Sequence, residues 1–167
     1  MTELKKDPIH TISILVANKP GVLVRVALVF ARRGYNIDSL VVSATVNPRF
    51  SRMTITSRGN PETLEQIIKN VAKLVDVIHA SEHDASTSVE RELALIKVKD
   101  SPAMKTALAK YKKYHATVID TRDKTLVLAQ SGTTVELDEF ETIIKKIGVI
   151  EYVRSGKLLM VRGKDQT

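Results

Sequence analysis

Apolar residues in the first half of the chain recur at spacings that alternate between those of strands and those of helices. An apolar, β-branched run lies at 9–16, a helical stripe follows it and ends at Gly34, and Asn60-Pro61 is a typical start of a second helix. The predicted elements are strands at 9–16, 37–45, 49–58 and 75–81, with helices at 21–33 and from 61 onwards. The first half therefore has the order β-α-β-β-α-β.

The second half repeats this order, with one further strand at its end, after a short polar segment at 85–89. Its predicted elements are strands at 92–99, 115–120, 125–129, 149–153 and 158–161, with helices from Ser101-Pro102 and at 135–146. Two such halves predict an α+β protein with two ferredoxin-like domains, at 1–84 and 90–167, joined by a linker at 85–89. Each domain should place its helices on one face of an antiparallel sheet.

The two halves differ directly after their first strands. The first half has Asn18-Lys19-Pro20-Gly21, whereas the second has Lys99-Asp100-Ser101-Pro102, without asparagine or glycine. Glycine lets a ligand approach the backbone, and the free N–H groups of a helix start suit a carboxylate. Asparagine amides can meet an ammonium or a carboxylate group. A site for a free amino acid is predicted from Asn18, Gly21, Val22, Leu23, Asn36 and Ile37.

Each candidate residue also has a purely structural explanation. Asn18 could cap the first helix, and Asn36 could belong to a turn. Gly34 fits a helix C-cap better than any functional role. The three apolar candidates, Val22, Leu23 and Ile37, would be core residues in any fold. The functional interpretation therefore depends on their occurring together.

Composition and motifs argue against independent catalysis. The 167 residues include no cysteine, which excludes disulfides, thiolate metal sites and cysteine nucleophiles. Neither a Gly-x-Ser-x-Gly motif nor a nucleotide-binding glycine motif occurs. His79 and His83 are four residues apart, but they fall at a predicted strand with no glutamate between them, so no metal site is expected.

Charge and hydropathy narrow the expected partners. The net charge of +7 is spread almost evenly over the two halves, as on an ordinary solvated surface. RNA-recognition domains share the predicted element order, but the strand at 49–58 has only Phe50, at its edge, to stack on a base. The apolar runs are too short to cross a bilayer, and no signal peptide is evident. We expect a cytoplasmic protein that binds neither nucleic acid nor membrane.

Several stretches of the sequence resemble a known family. Residues 16–26 are similar to the opening of an ACT domain, the small amino-acid-sensing module. Further similarity at 32–40, 51–55, 74–77 and 89–93 and in the run Arg154-Ser155-Gly156 extends this resemblance to the regulatory (small) subunits of acetolactate synthase, also called acetohydroxyacid synthase.

The resemblance implies a regulatory subunit without activity of its own. It would bind and activate a catalytic subunit that carries thiamine diphosphate, FAD and magnesium, while holding no cofactor itself, and it would confer feedback inhibition by valine. ACT domains would pair side by side as a homodimer, with the effector at the interface. One protomer would contribute Asn18, Gly21, Val22 and Leu23, and the other Asn36 and Ile37.

Two alternatives remain open at the level of sequence. An apolar pocket separates valine, leucine and isoleucine by only about 1–3 kcal/mol per methylene, so the preferred branched-chain amino acid is not determined. An ACT-domain sensor from another biosynthetic pathway would share the fold and the site but not the catalytic partner.

Overall fold

The structure, a computed structural model, describes residues 8–164 and Thr167. The first half forms β1 (Ile9–Ala17), α1 (Val22–Arg32), β2 (Ser39–Ala44), β3 (Phe50–Arg58), α2 (Pro61–Val71) and β4 (Val77–His83). The strands form an antiparallel sheet in the order β2-β3-β1-β4. This arrangement confirms the predicted β-α-β-β-α-β fold of the first half.

Both helices cover the same face of this sheet. α1 buries Val22, Val26 and Phe30 at a spacing of four residues, and these pack with the alternate residues Ile12 and Ile14 of β1 in one core. Leu64, Ile67 and Val71 of α2 join the same core. Because β1 and α1 are antiparallel neighbours, the loop between them lies at one end of the domain and the turn after α1 at the other.

The second half forms a sheet of the same kind. Its elements are β5 (Ser88–Lys99), α3 (Pro102–Lys110), a 3-10 turn at Lys112–Tyr114, β6 (Thr117–Arg122), β7 (Thr125–Gly132), α4 (Thr134–Lys145) and β8 (Val149–Arg154), followed by β9 (Leu158–Val161). Strands β6-β7-β5-β8 lie in that order. Thr133 and Glu136 form a capping box that begins α4. The predicted second β-α-β-β-α-β unit is therefore present.

The chain divides into two compact units whose limits differ from the expected domains 1–84 and 90–167. The first unit reaches Val89 and also takes in the segment from Lys157, while the second spans Glu90–Gly156. Lys157 Nζ donates to Thr11 Oγ1 (3.2 Å), and Arg162 N donates to Thr87 O (2.9 Å). These contacts explain why the segment from Lys157 groups with the first unit.

The segment at 85–89, expected as a linker, is more ordered than its composition suggests. Hydrogen bonds from the hydroxyl and the amide of Ser86 and from the amide of Thr87 lower the pKa of the Asp84 carboxyl group. They close a tight turn, and β5 begins at Ser88, earlier than the predicted start at 92.

Two strands of the first unit begin later than predicted. β2 begins at Ser39 and not at 37, because residues 36–38 form a loop in which the Asn36 carbonyl accepts a hydrogen bond from Ser57 Oγ (2.7 Å). β4 begins at Val77 and not at 75, because the amide of Val77 closes a turn with Leu74 O (3.0 Å). Asn36 lies in the loop at 36–38, outside β2.

A charged network joins three elements of the second unit. Glu92 of β5 is only 6% exposed, and its carboxylate accepts from Arg154 Nε (3.0 Å), Arg154 Nη2 (2.8 Å) and the Thr134 hydroxyl. Burial alone would lower the pKa of Arg154, but its hydrogen bond to Asp138 (2.5 Å) and the charge of Glu92 raise it overall. The run Arg154-Ser155-Gly156 thus has a structural role at the end of β8.

Candidate functional site

The loop between β1 and α1 is fixed by main-chain and side-chain bonds to the β2–β3 hairpin. The amide of Asn18 donates to Arg49 O (2.8 Å), and Asn18 Nδ2 donates to Pro48 O (3.0 Å). The residue that precedes α1 is Gly21, at φ 82°, and no side chain caps the helix. The alternative that Asn18 caps α1 is therefore wrong. The side-chain amide of Asn18 instead donates to the β2–β3 hairpin.

Gly21 leaves the start of α1 open. Its positive φ is a conformation that glycine adopts without strain, and the first amides of α1 have no acceptor within the helix. The side chain of Val22 is 2% exposed in the core, so only its backbone can meet a ligand, whereas the side chain of Leu23 is 41% exposed. This end of the helix can receive a small anion.

Three charged side chains surround the same helix start. Asp76, just before β4, forms ion pairs with Arg25 and with Lys19 (Nζ to Oδ1, 3.7 Å), and its carbonyl accepts from the Ala17 amide (2.8 Å). A Cβ built on Gly21 would lie 3.3 Å from Arg25 Nη1. Setting aside its chain neighbours and the α1 backbone, no other atom of the described residues would lie within 4 Å of it.

Asn36 and Ile37 lie at the opposite end of α1 within the same protomer. The helix has 11 residues, which separates its two ends by about 15 Å. Asn36 is exposed, and its Nδ2 donates to Asp38 Oδ1 (3.4 Å), while Asp38 pairs with Arg58 (3.1 Å). Ile37 is half-buried against the core. One protomer alone does not bring Asn18 and Gly21 together with Asn36 and Ile37.

The comparisons with known proteins decide the family. The model of the "AHAS small subunit-like ACT domain" matches residues 12–79, and that of the "Small subunit of acetolactate synthase" matches residues 91–163. This chain belongs to the family of acetolactate synthase small subunits. It is therefore a non-catalytic regulatory subunit with an N-terminal ACT domain, and the family implies a catalytic subunit as its partner.

Relatives of the acetolactate synthase small-subunit family match along nearly the whole chain. A probable acetolactate synthase small subunit of Archaeoglobus fulgidus is 41% identical over 155 residues, covering 92% of this chain and 97% of the relative. The acetolactate synthase small subunit of Mycolicibacterium smegmatis is 40% identical over 157 residues, covering 93% and 92%. The crystal structure of the Thermotoga maritima small subunit superposes with a TM-score of 0.83 at 34% identity, covering 95% and 99%.

The structure also bears on the expected absence of a metal site and of a membrane-spanning helix. Within the part of the chain that the structure describes, no cluster of three or more histidine, aspartate or glutamate residues could hold a metal ion. His79 and His83 both lie on β4, where His83 Nε2 contacts the hydroxyls of Ser13 (2.8 Å) and Ser81 (2.9 Å). Over the same residues, none of the helices has the length and apolar character needed to cross a membrane.

Sequence reasoning missed the charged group at the start of α1. In the sequence Arg25 is only a charged position within an apolar helical pattern, and Asp76 is 51 residues away along the chain. One signal was available: α1 has a cation in its first residues and no acidic residue there, contrary to the preference set by the helix dipole.

The segment at Asn36 depends on close packing between Tyr35 and Gly59. Tyr35 Oη donates to Asn60 O (3.0 Å), and a Cβ on Gly59 would lie 2.1 Å from Tyr35 Cε1. We expect Gly59→Ala to displace the Tyr35 ring and to lower the free energy of unfolding of the first unit by about 1–3 kcal/mol. Hydrogen exchange of the β1 and β3 amides in the full chain measures this loss.

A double-mutant cycle provides the control for this prediction. In a Tyr35→Ala background the added methyl group no longer meets the ring and only the backbone strain at φ 157° remains, so Gly59→Ala should cost clearly less than in the natural chain. Equal costs in the two backgrounds would show that the ring contact is not responsible.

Proposed function

We propose that this acetolactate synthase small subunit activates its catalytic subunit and confers feedback inhibition by a free branched-chain amino acid, with valine as the expected effector. The observation that supports this most directly is the open start of α1 at Gly21, where bare backbone, the first amides of the helix and cationic side chains coincide. An amino acid carries the carboxylate that such a helix start favours.

A homodimer would complete the site. β2 is an edge strand, and the apolar side chains of Leu23, Val24 and Leu28 on α1 and Val42 on β2 are 41–60% exposed. If two copies pair antiparallel along β2 about a two-fold axis, the Gly21 end of one helix comes beside the Asn36 end of the other. Two such composite sites would form in each dimer.

The two ends would hold different parts of the effector. Asn18 and the backbone at Gly21, Val22 and Leu23 would bind the charged head from one copy, and Asn36 and Ile37 would contribute from the second copy. A ligand held by both protomers favours the dimer arrangement that it fits best, and it can shift the equilibrium only by its difference in affinity for the two arrangements. The catalytic subunit would respond to that arrangement.

The chemistry itself would reside on the catalytic subunit. Thiamine diphosphate, FAD and magnesium would be bound there, and this chain would contribute no cofactor, no nucleic-acid contact and no membrane contact. The complex would act in the cytoplasm.

Reconstitution with the catalytic subunit tests this function. Adding the full chain to the purified catalytic subunit should increase the rate of acetolactate formation, and valine should then reduce that rate, while valine leaves the catalytic subunit alone unaffected. Activation that no branched-chain amino acid reverses would contradict the feedback role. Absence of any activation would contradict the proposed partnership.

A further inference from the structure

The Arg25 side chain forms part of the opening at Gly21. Its Nη1 atom would lie 3.3 Å from a Cβ at Gly21, while its Nη2 atom donates to the Asp76 carboxylate. The side chain of Arg25 remains 47% exposed. A ligand that approaches the bare backbone of Gly21 therefore also reaches the guanidinium group.

The charges near this helix start are arranged for an additional anion. α1 has no acidic residue in its first turn, and within the residues that the structure describes Lys19 and Arg25 share the single carboxylate of Asp76. The positive end of the helix dipole adds to the same field. Cations at a helix start run against the preference of the helix dipole for negative charge. Departures from local preferences of this kind are expected at functional sites.

We propose that Arg25 binds the α-carboxylate of the amino-acid effector and that Asp76 weakens this binding by competing for the guanidinium charge. The inference rests on the proposed function and adds to its site one residue, Arg25, that the site did not include. Arginine presents several N–H donors in one plane and matches a carboxylate well. In Arg25 one terminal nitrogen faces Gly21 and the other faces Asp76.

This arrangement links the effector to an edge of the sheet. Asp76 directly precedes β4, and its carbonyl accepts from the Ala17 amide at the end of β1. The β1–β4 register also shifts between Leu15 and Val16, close to this contact. An effector carboxylate that pairs with Arg25 weakens the Arg25–Asp76 ion pair at the start of β4. The effector-bound and effector-free states then have different contacts.

Calorimetric titration of the full chain with L-valine and with L-valinamide tests the assignment. The natural chain should prefer valine, because valinamide lacks the carboxylate charge. Arg25→Gln should weaken valine binding by about tenfold or more and reduce the preference over valinamide. Asp76→Asn should instead tighten valine binding several-fold. Lys19→Gln removes the other cation paired with Asp76 and should change valine affinity by no more than about twofold.

The opposite signs separate a binding role from a structural one. If the Arg25–Asp76 pair only holds the loop, both substitutions weaken valine binding and the preference over valinamide stays unchanged, which overturns the assignment and leaves the proposed function intact. Equal affinity of the natural chain for valine and valinamide overturns it without any variant. If the natural chain binds none of valine, leucine and isoleucine, the assignment and the proposed amino-acid response fail together. Thermal unfolding confirms that each variant is folded.

Discussion

Gly21→Asp should abolish the response to valine while the chain still activates its catalytic subunit. The aspartate side chain would point towards Arg25 Nη1, which would lie 3.3 Å from its Cβ. Its carboxylate would occupy the space proposed for the effector carboxylate. Two like charges at 4 Å repel each other by about 4 kcal/mol at an effective dielectric constant of 20, which corresponds to roughly a thousandfold loss of affinity.

Gly21→Asn is the matched control. Asparagine and aspartate have nearly the same shape, and both adopt a positive φ more readily than most other residues, so the two variants place similar strain on the backbone at φ 82°. Only aspartate adds the negative charge. The loss of valine inhibition should therefore be much smaller in Gly21→Asn, measured as the valine concentration for half-inhibition of the reconstituted complex. Full valine sensitivity in Gly21→Asp would refute the site.

Arg154→Gln should destabilise the second unit by about 3–5 kcal/mol, because it leaves the buried carboxylate of Glu92 without its cation. Glu92 is 6% exposed and contacts two nitrogens of Arg154. Hydrogen exchange of the β5 and β8 amides in the full chain measures the loss, and the first unit should keep its exchange rates.

Two controls separate this effect from a general loss of surface charge. Lys97→Gln breaks the exposed ion pair between Lys97 and Glu151 (2.9 Å) on the same two strands and should cost less than about 1 kcal/mol. Replacing both buried partners, in Glu92→Leu with Arg154→Met, should recover most of the stability. Equal losses in Arg154→Gln and Lys97→Gln would show that burial of Glu92 does not matter.

The periodic segments of the chain could be predicted because local spacing determines them. The stripe of Val22, Val26 and Phe30 fixes one face of α1, and Gly34 ends that helix with two backbone bonds, from its own amide to Ala31 O and from the Tyr35 amide to Phe30 O. The starts of β2 and β5 were predicted less well, because contacts of Ser57 with Asn36 and the hydrogen bonds around Asp84 determine them.

The candidate site could be predicted only in part. Gly21 and Asn18 are neighbours in sequence, so their pattern was visible, although the role of Asn18 in holding the hairpin at Pro48 was not. The pairs Arg25–Asp76 and Glu92–Arg154 join residues 51 and 62 positions apart, and local spacing carries no information about such pairs. The distance between the Gly21 and Asn36 ends of α1 likewise appears only in the fold.

Titration of the purified full chain with L-valine in a calorimeter tests the central claim most directly, because it needs no catalytic partner. The account predicts saturable binding to the natural chain and its loss in Gly21→Asp. Absence of binding by valine, leucine and isoleucine at millimolar concentration would contradict it and would leave a small subunit that acts without an amino-acid effector of this class.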